Sequence, residues 1–319
     1  MTSLLQVENT WLHATEEIIV RRSPGSSPGY WAGAPSAYFD ACTGTFYLYY
    51  RLRRPVGQGR GYEARLAVSQ DGLVFDDIWA VRSEELRSPS IERGWLVQHA
   101  GVWRLFVSYV NGATNQWQID RIEASTVTDL SAANRQTVLS PTTAPAHAVK
   151  DPVLLQVGPL WYMYVSYAPL DLLRDSTAAE LHGTGDVFTT GSVRSHTGLA
   201  VSTDGRDFVW QGEVLSSSEA GWDSLMSRVT GLLPFGDIHL TFYDGAADVR
   251  ENYEERGGLA VTADFHTFHK LRFAEPVWRS AFGSARYFCP LATPLGTYVY
   301  YEAASPDGSH QLCVRRVQP

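Results

Sequence analysis

Two carboxylates and two guanidiniums recur at matching places in this chain. Glu92 follows Ser88-Pro89-Ser90-Ile91, Asp151 stands in Lys150-Asp151-Pro152, and Arg228 and Arg286 each lead into a short apolar run. Cleavage of a glycosidic bond requires one protonated and one ionised carboxyl group, and their separation sets whether configuration is inverted or retained. On that reading Glu92 is the acid and Asp151 the base, with Arg228 and Arg286 binding substrate or holding Asp151 ionised. The same four charges also suit a salt-bridge network that closes a channel for stability, since such side chains are seldom fully buried unless paired. A second aromatic run in each repeat ends at Arg51, Asn111, Ala168, Asp244 or Glu302. The polar, acidic passage from Tyr243 to Arg256 follows one of these ends. Arg51, Asp244, Glu302 and Tyr253 are therefore candidate ligand contacts, although a solvated surface loop would explain the passage equally well.

The elements that must position these residues repeat along the chain. Val149 to Tyr167 runs from Asp151-Pro152 through an apolar stretch and a Gly158-Pro159 turn into a returning run of aromatic and β-branched residues. Proline suits the first position of a strand and holds the residue before it extended. Each such unit reads as a hairpin, and a third strand follows, as in Ala64 to Ser69, Trp117 to Ser125, Gly198 to Ser202, Gly258 to Thr262 and Gln311 to Val317. The Asp71-Gly72, Asp204-Gly205 and Asp307-Gly308 turns are hairpin chemistry, with glycine supplying positive φ and aspartate bonding its own backbone.

Short strands with Gly, Asp and Pro turns, recurring about every fifty to sixty residues, are what radially repeated blades need. The expected fold is all-β: a five-bladed β-propeller of four-stranded antiparallel blades, forming a single domain over residues 1–319. Its blades fall roughly at 30–80, 88–130, 148–215, 222–272 and 282–317. A two-sheet sandwich is the alternative, though it does not require the same strand order five times. In a propeller the first strand of each blade lines the axis, which brings Ala34 or Pro35, Glu92, Asp151, Arg228 and Arg286 together. The connection from Ala168 to His196 is the longest, of a length typical of lids, binding loops or disorder. Helical periodicity is weak outside Asp171 to Leu181.

Composition bounds the function. The chain of 319 residues is 44% hydrophobic and 19% charged, which is globular and sufficient for a core. An aromatic content of 12% favours sheets and a planar or sugar-like ligand, although aromatic cores account for most of it. A formal charge of −8 with no basic run to offset it argues against nucleic acid or an anionic membrane as partner. Arg51, Arg53, Arg54 and Arg60 cluster locally, either as a solvated loop or as contacts for an anionic group.

Cys42, Cys289 and Cys313 are odd in number and lack metal-ligand spacing, so they read as reduced thiols. Met1 to Glu8 lacks a basic region followed by an apolar core, and no apolar run approaches membrane-spanning length, so a cytoplasmic protein is expected. No cofactor and no metal are expected; His147 and His182 are where a metal would first be sought. A nucleophile elbow is absent, and Gly57-x-Gly59-x-Gly61 has no following helix to cradle phosphate.

Ser88-Pro89-Ser90-Ile91-Glu92, Lys150-Asp151-Pro152 and Ala200-Val201-Ser202-x-Asp204-Gly205-x-x-Phe208 resemble the five-bladed glycoside hydrolase superfamily that includes arabinanases, β-xylosidases, invertases and levansucrases. The blade pattern covers nearly the whole chain, the specific motifs only a few residues. The resemblance implies an Asp in the first blade, an Asp in an Asp-Pro motif in the next and a Glu in the one after, as base or nucleophile, supporting carboxylate and acid. Lys150-Asp151-Pro152 matches the Asp-Pro motif. The first blade has Ala34 in place of the carboxylate, and Glu92 sits one blade before Asp151 rather than after it. The expected function is glycoside hydrolase-like acid/base chemistry on a small glycoside or sugar-derived metabolite. A rebuilt catalytic set would draw on Glu92, Asp151 and rim groups such as Asp244 or Glu302. The competing reading is an altered propeller that binds a metabolite or cyclises or isomerises it; a protein scaffold is the third.

Overall fold

The computed structural model describes residues 16–271 and 275–317. The stretch Met1 to Glu8, read above for a targeting signal, lies outside them. Twenty strands run along the described residues. After β1 (Ile18–Arg21) come β2 (Trp31–Asp40), β3 (Thr45–Arg53), β4 (Gly61–Ser69) and β5 (Asp76–Arg82). Next are β6 (Ile91–His99), β7 (Val102–Asn111), β8 (Gln116–Ala124) and β9 (Gln136–Leu139), then β10 (Ala148–Val157), β11 (Leu160–Ala168), β12 (His196–Ser202) and β13 (Val209–Leu215). The last are β14 (Met226–Phe235), β15 (Ile238–Ala246), β16 (Arg256–Thr262) and β17 (His269–Lys270), followed by β18 (Ala285–Thr293), β19 (Gly296–Ala304) and β20 (His310–Val317).

The fold is all-β. Strands β6–β9, β10–β13 and β14–β17 form three four-stranded antiparallel sheets in chain order. The rest join one eight-stranded sheet, ordered β18-β19-β20-β2-β3-β4-β5, with β1 paired on β20. Its two antiparallel halves meet at a single parallel pairing, Trp31 opposite His310. Two elements differ from the sequence reading. β1 supplies the strand outside β20, and β9 lies beyond residue 130, where the second unit was expected to stop. The first strands β2, β6, β10, β14 and β18 touch in that cyclic order, and β18 closes back on β2.

Sheets stacked around a ring bury both faces of their middle strands, so these strands read as continuous apolar runs rather than alternating ones. β11 is the clearest case: every residue after Leu160 is buried. Cys289 and Cys313 are buried and unpaired, and Cys42 is exposed. Among the described residues no helix is long and apolar enough to cross a membrane.

The Asp-Gly turns also fasten one unit to the next. Asp71 Oδ1 accepts from the Leu73 and Val74 N–H groups at 2.8 and 3.0 Å, and Gly72 takes φ 72°. The backbone oxygens of Asp71 and Gly72 then accept from the Tyr298 and Tyr300 hydroxyls of the last unit at 2.9 and 2.8 Å. A Cβ on Gly72 would lie 2.8 Å from the Tyr298 ring. Gly72→Ala should therefore cost roughly 2–4 kcal/mol, combining left-handed strain with the clash. Gly44→Ala, at φ 68° with open space around it, should cost only about 1–2 kcal/mol. Urea unfolding of both variants checks this; equal losses would show that the turn does not bear on Tyr298.

Candidate functional site

Each first strand is broken by a bulge near its axial end. The pairing register skips between Gly33 and Ser36, Ile91 and Gly94, Lys150 and Val153, and Arg286 and Cys289, and by one residue at Thr230. A bulge leaves its extra residues unpaired and re-aims their side chains. At three of these points the chain enters the left-handed region, with φ 51° at Ala34, 58° at Asp151 and 57° at Tyr287. Bulge positions therefore align Ala34, Glu92, Asp151 and Tyr287. The expected alignment of Arg228 and Arg286 with Glu92 and Asp151 is corrected by one residue. Arg228 pairs in register with Asp244, and Arg286 with Glu302. In the second and third units the partners at this level are Tyr109 and Ser166, not Asn111 and Ala168.

The candidates from sequence nevertheless meet in one buried network. Arg228 donates from Nη1 to Asp151 Oδ2 at 2.8 Å and from Nη2 to Asp244 Oδ2 at 2.5 Å. Arg286 donates to Glu302 Oε1 at 2.6 Å and also pairs with Glu255. Arg51 donates to Glu92 Oε2 at 3.0 and 2.9 Å and lies 3.5 Å from Glu302 Oε2. The Tyr287 hydroxyl accepts from Arg228 at 3.1 Å and lies 3.3 Å from Glu92 Oε2 and 3.5 Å from Asp151 Oδ2. One phenol thus stands between the two proposed catalytic carboxylates. Asp151 and Asp244 are 0% exposed and Glu92 5%.

Glu302 explains the missing first-unit acid in spatial terms. Its Oε2 accepts from the Ala34 N–H at 3.1 Å, and a Cβ on Gly33 would fall 1.9 Å from the same oxygen. A carboxylate from the last unit occupies the space beside Ala34.

Environment separates these carboxyls. Burial alone would raise Glu92, but the charges of Arg51, Lys150, Arg53 and Arg286 overcome it and hold the group at about 2. Asp244 moves the other way: burial, helped by the nearby Glu255 charge, pushes it to about 6 against the pull of Arg228. Glu302 is held well below its ordinary value, since Arg286, Arg51 and His310 outweigh its burial. Burial raises the Tyr287 hydroxyl well above the usual phenol range.

The long connection after β11 roofs this network. It contains one short helix, α1 (Ala178–His182), capped reciprocally by Thr177 and Glu180, and buries Leu181, Val187, Phe188 and Val193 against Val110 and Trp117. Arg60 donates to the Thr184 and Gly185 carbonyl oxygens at 3.1 and 3.2 Å. Tyr253, at φ 89°, donates from its hydroxyl to Asp186 Oδ2 at 2.9 Å and lies 5.2 Å from the Trp31 ring. Arg51, Arg53 and Arg60 are buried, and only Arg54 of that cluster is exposed, so the solvated-loop reading is corrected. Arg51 and Arg53 end strand β3, and their alternation two apart was a visible signal for one shared face.

Sequence reasoning missed Tyr287 and Trp31, and it named Arg53 only within the arginine cluster and Glu255 only within the acidic passage. Nothing in the type of Tyr287 separates it from the many core tyrosines; only its place on a bulge does. His147 and His182 have ring centroids 5.8 Å apart, and among the described residues no group of three or more His, Cys, Asp or Glu is placed to hold a metal.

Solved structures of the same shape exist. A glycoside hydrolase aligns with TM-score 0.69 at 12% identity, covering 100% of this chain and 96% of that one. The chain shares the fold of glycoside hydrolases. An α-L-arabinofuranosidase from Lactobacillus brevis aligns with TM-score 0.62 at 12% identity over 94% and 92% of the two chains. A β-1,2-mannobiose phosphorylase from Listeria innocua, in complex with β-1,2-mannobiose, gives 0.58 at 14% over 94% and 97%. At such identities the likeness is one of fold. No family model and no curated protein matches the sequence.

Two outcomes follow from the network. Arg228→Met strands two buried carboxylates and should cost about 3–5 kcal/mol in chemical denaturation; a loss below about 1 kcal/mol would mean that water reaches both. Glu92 lies below its ordinary 4.5, so its contribution to stability is present above pH 4.5 and lost as pH falls through about 2. Asp244 lies above its ordinary 3.8, so its contribution is full below pH 3.8 and lost as pH rises through about 6. Asp244→Asn should flatten that decline in melting temperature between pH 4 and pH 6; an unchanged slope would refute the raised value.

Proposed function

We propose that this chain is one domain, a five-bladed propeller, and acts as a glycoside hydrolase-like enzyme on a small glycoside or sugar-derived metabolite bound at the axis. The observation that carries this reading is one buried carboxyl cluster, Asp244, Asp151 and Glu92, linked through Arg228 and Tyr287, in which burial pushes Asp244 up while Arg51 holds Glu92 down against its own burial. Neighbouring carboxyls whose environments drive them apart mark acid and base. The roles read from sequence are therefore reassigned. Asp244 gives its proton to the leaving glycosidic oxygen, Glu92 with Asp151 takes a proton from the attacking water, and Arg51, Arg286, Glu302 and Tyr253 bound the sugar.

The roof must open for substrate, since Asp151 and Asp244 are sealed from solvent. The fold shared with a phosphorylase complexed with β-1,2-mannobiose supports a sugar ligand. Three unpaired cysteines support a reducing, cytoplasmic setting. That same burial favours a second reading, a sugar-binding propeller without turnover.

A panel of aryl glycosides separates the two. Turnover should fall as pH rises through about 6, in line with Asp244 as the acid, and Asp244→Asn, Glu92→Gln and Asp151→Asn should each lower kcat at least about 100-fold. Full activity in any of the three removes that residue from the mechanism. Saturable sugar binding with no hydrolysis across the panel selects the binding protein.

A further inference from the structure

Arg53 is a buried cation with unsatisfied donors, whose charge acts on Glu92 without a direct ion pair. It is 2% exposed, it makes no ion pair among the described residues, and its Nε and Nη1 have no hydrogen-bond partner there. Arg51, Arg228 and Arg286 each hold at least one carboxylate. Arg93 is another buried guanidinium with free Nη atoms and no ion pair among the described residues, but it packs on Trp95 and its Nε donates to Pro35 O, which ties it to a strand. Buried donors left without an acceptor are costly to keep, so their retention calls for a partner.

The setting of Arg53 says what that partner is. Its guanidinium carbon lies 4.0 Å from the Trp31 ring centroid and 4.3 Å from that of Tyr253, so an aromatic ring stands at each of these approaches. A guanidinium donates only in its own plane, and stacked groups leave that edge to meet a planar or tetrahedral oxyanion with two parallel bonds. Two further donors belong to the same patch. Trp31 pairs in register with Arg53 and Gly33 with Arg51, so Arg51 and Arg53 project from one face of β3. Trp31 Nε1 and Arg51 Nη1 are also buried without a partner.

We propose that Arg53, Arg51 and Trp31 form a subsite for an oxyanion carried by the ligand, a carboxylate or phosphate on a sugar. The inference rests on the reading of the axis as a sugar site and adds the chemical class of its ligand. Tyr253 roofs the subsite, and its hydroxyl must leave Asp186 for the ligand to enter. The overall charge of −8 repels anions at long range, so selectivity for them has to be local.

Isothermal titration with glucuronate, inorganic phosphate and neutral glucose tests this. At least one anionic probe should bind at least tenfold more tightly than glucose, and more weakly as salt rises. The tighter of the two distinguishes a carboxylate ligand from a phosphate ligand. Arg53→Gln should cut the anion-to-glucose affinity ratio at least tenfold, and Arg53→Lys, which keeps the charge but loses the fork, should recover only part of it. Thermal melts confirm that each variant is folded. If glucose binds and neither anion gains over it, the subsite is refuted while the sugar site stands. If none of the three probes binds, both readings fall. An anion preference that survives Arg53→Gln places the anion elsewhere and overturns the proposal.

Discussion

Arg228 is the hinge of the charge balance on which the axial site depends. One guanidinium neutralises Asp151 from the third unit and Asp244 from its own, and Tyr287 from the last unit completes its surroundings. Taking such charges out of water is expensive, and only mutual pairing with close geometry repays it. That requirement propagates outward. Glu302 reaches between Arg51 and Arg286 and fills the space that a larger residue at Gly33 would need. Glu255, at the threshold of β16, serves both Arg228 and Arg286. No single unit could bury these groups alone.

Part of the backbone strain gathers at the same centre. Ala34, Asp151 and Tyr287 sit in the left-handed region at equivalent bulges, and Tyr253 does so in the roof. Non-glycine residues persist there only where the surroundings over-determine them, and such outliers concentrate at functional sites. The bulges turn side chains toward the axis that a regular strand would point along the sheet face. Chemistry at the centre is therefore set by the position of a residue relative to its bulge as much as by its type.

The strand plan was largely legible in the chain because hairpins, alternation and Asp-Gly turns are local signals. The site was legible in part. Glu92, Asp151, Arg228, Arg286, Arg51, Asp244 and Glu302 were singled out from their repeat positions and share one network. Their relative heights were one residue out because Arg228 and Arg286 still pair in register with the neighbouring strand whereas Glu92 and Asp151 lie on bulges, and spacing alone does not reveal where a bulge falls. Arg53 resembled a loop residue beside Arg54, until its burial between Trp31 and Tyr253 gave it a different meaning.

What the sequence by itself determined is the all-β architecture, the inventory of charged residues at the repeat ends and the absence of a carboxylate at Ala34. Only the tertiary structure decided which charge neutralises which, since Asp151 and Arg228, or Glu92 and Arg51, lie on different units and meet only when neighbouring units pack. It also decided that Asp244 is the carboxyl pushed up and Glu92 the one held down. Those shifts come from burial and from neighbours distant in the chain, and electrostatic energy depends on separation in space, not in sequence.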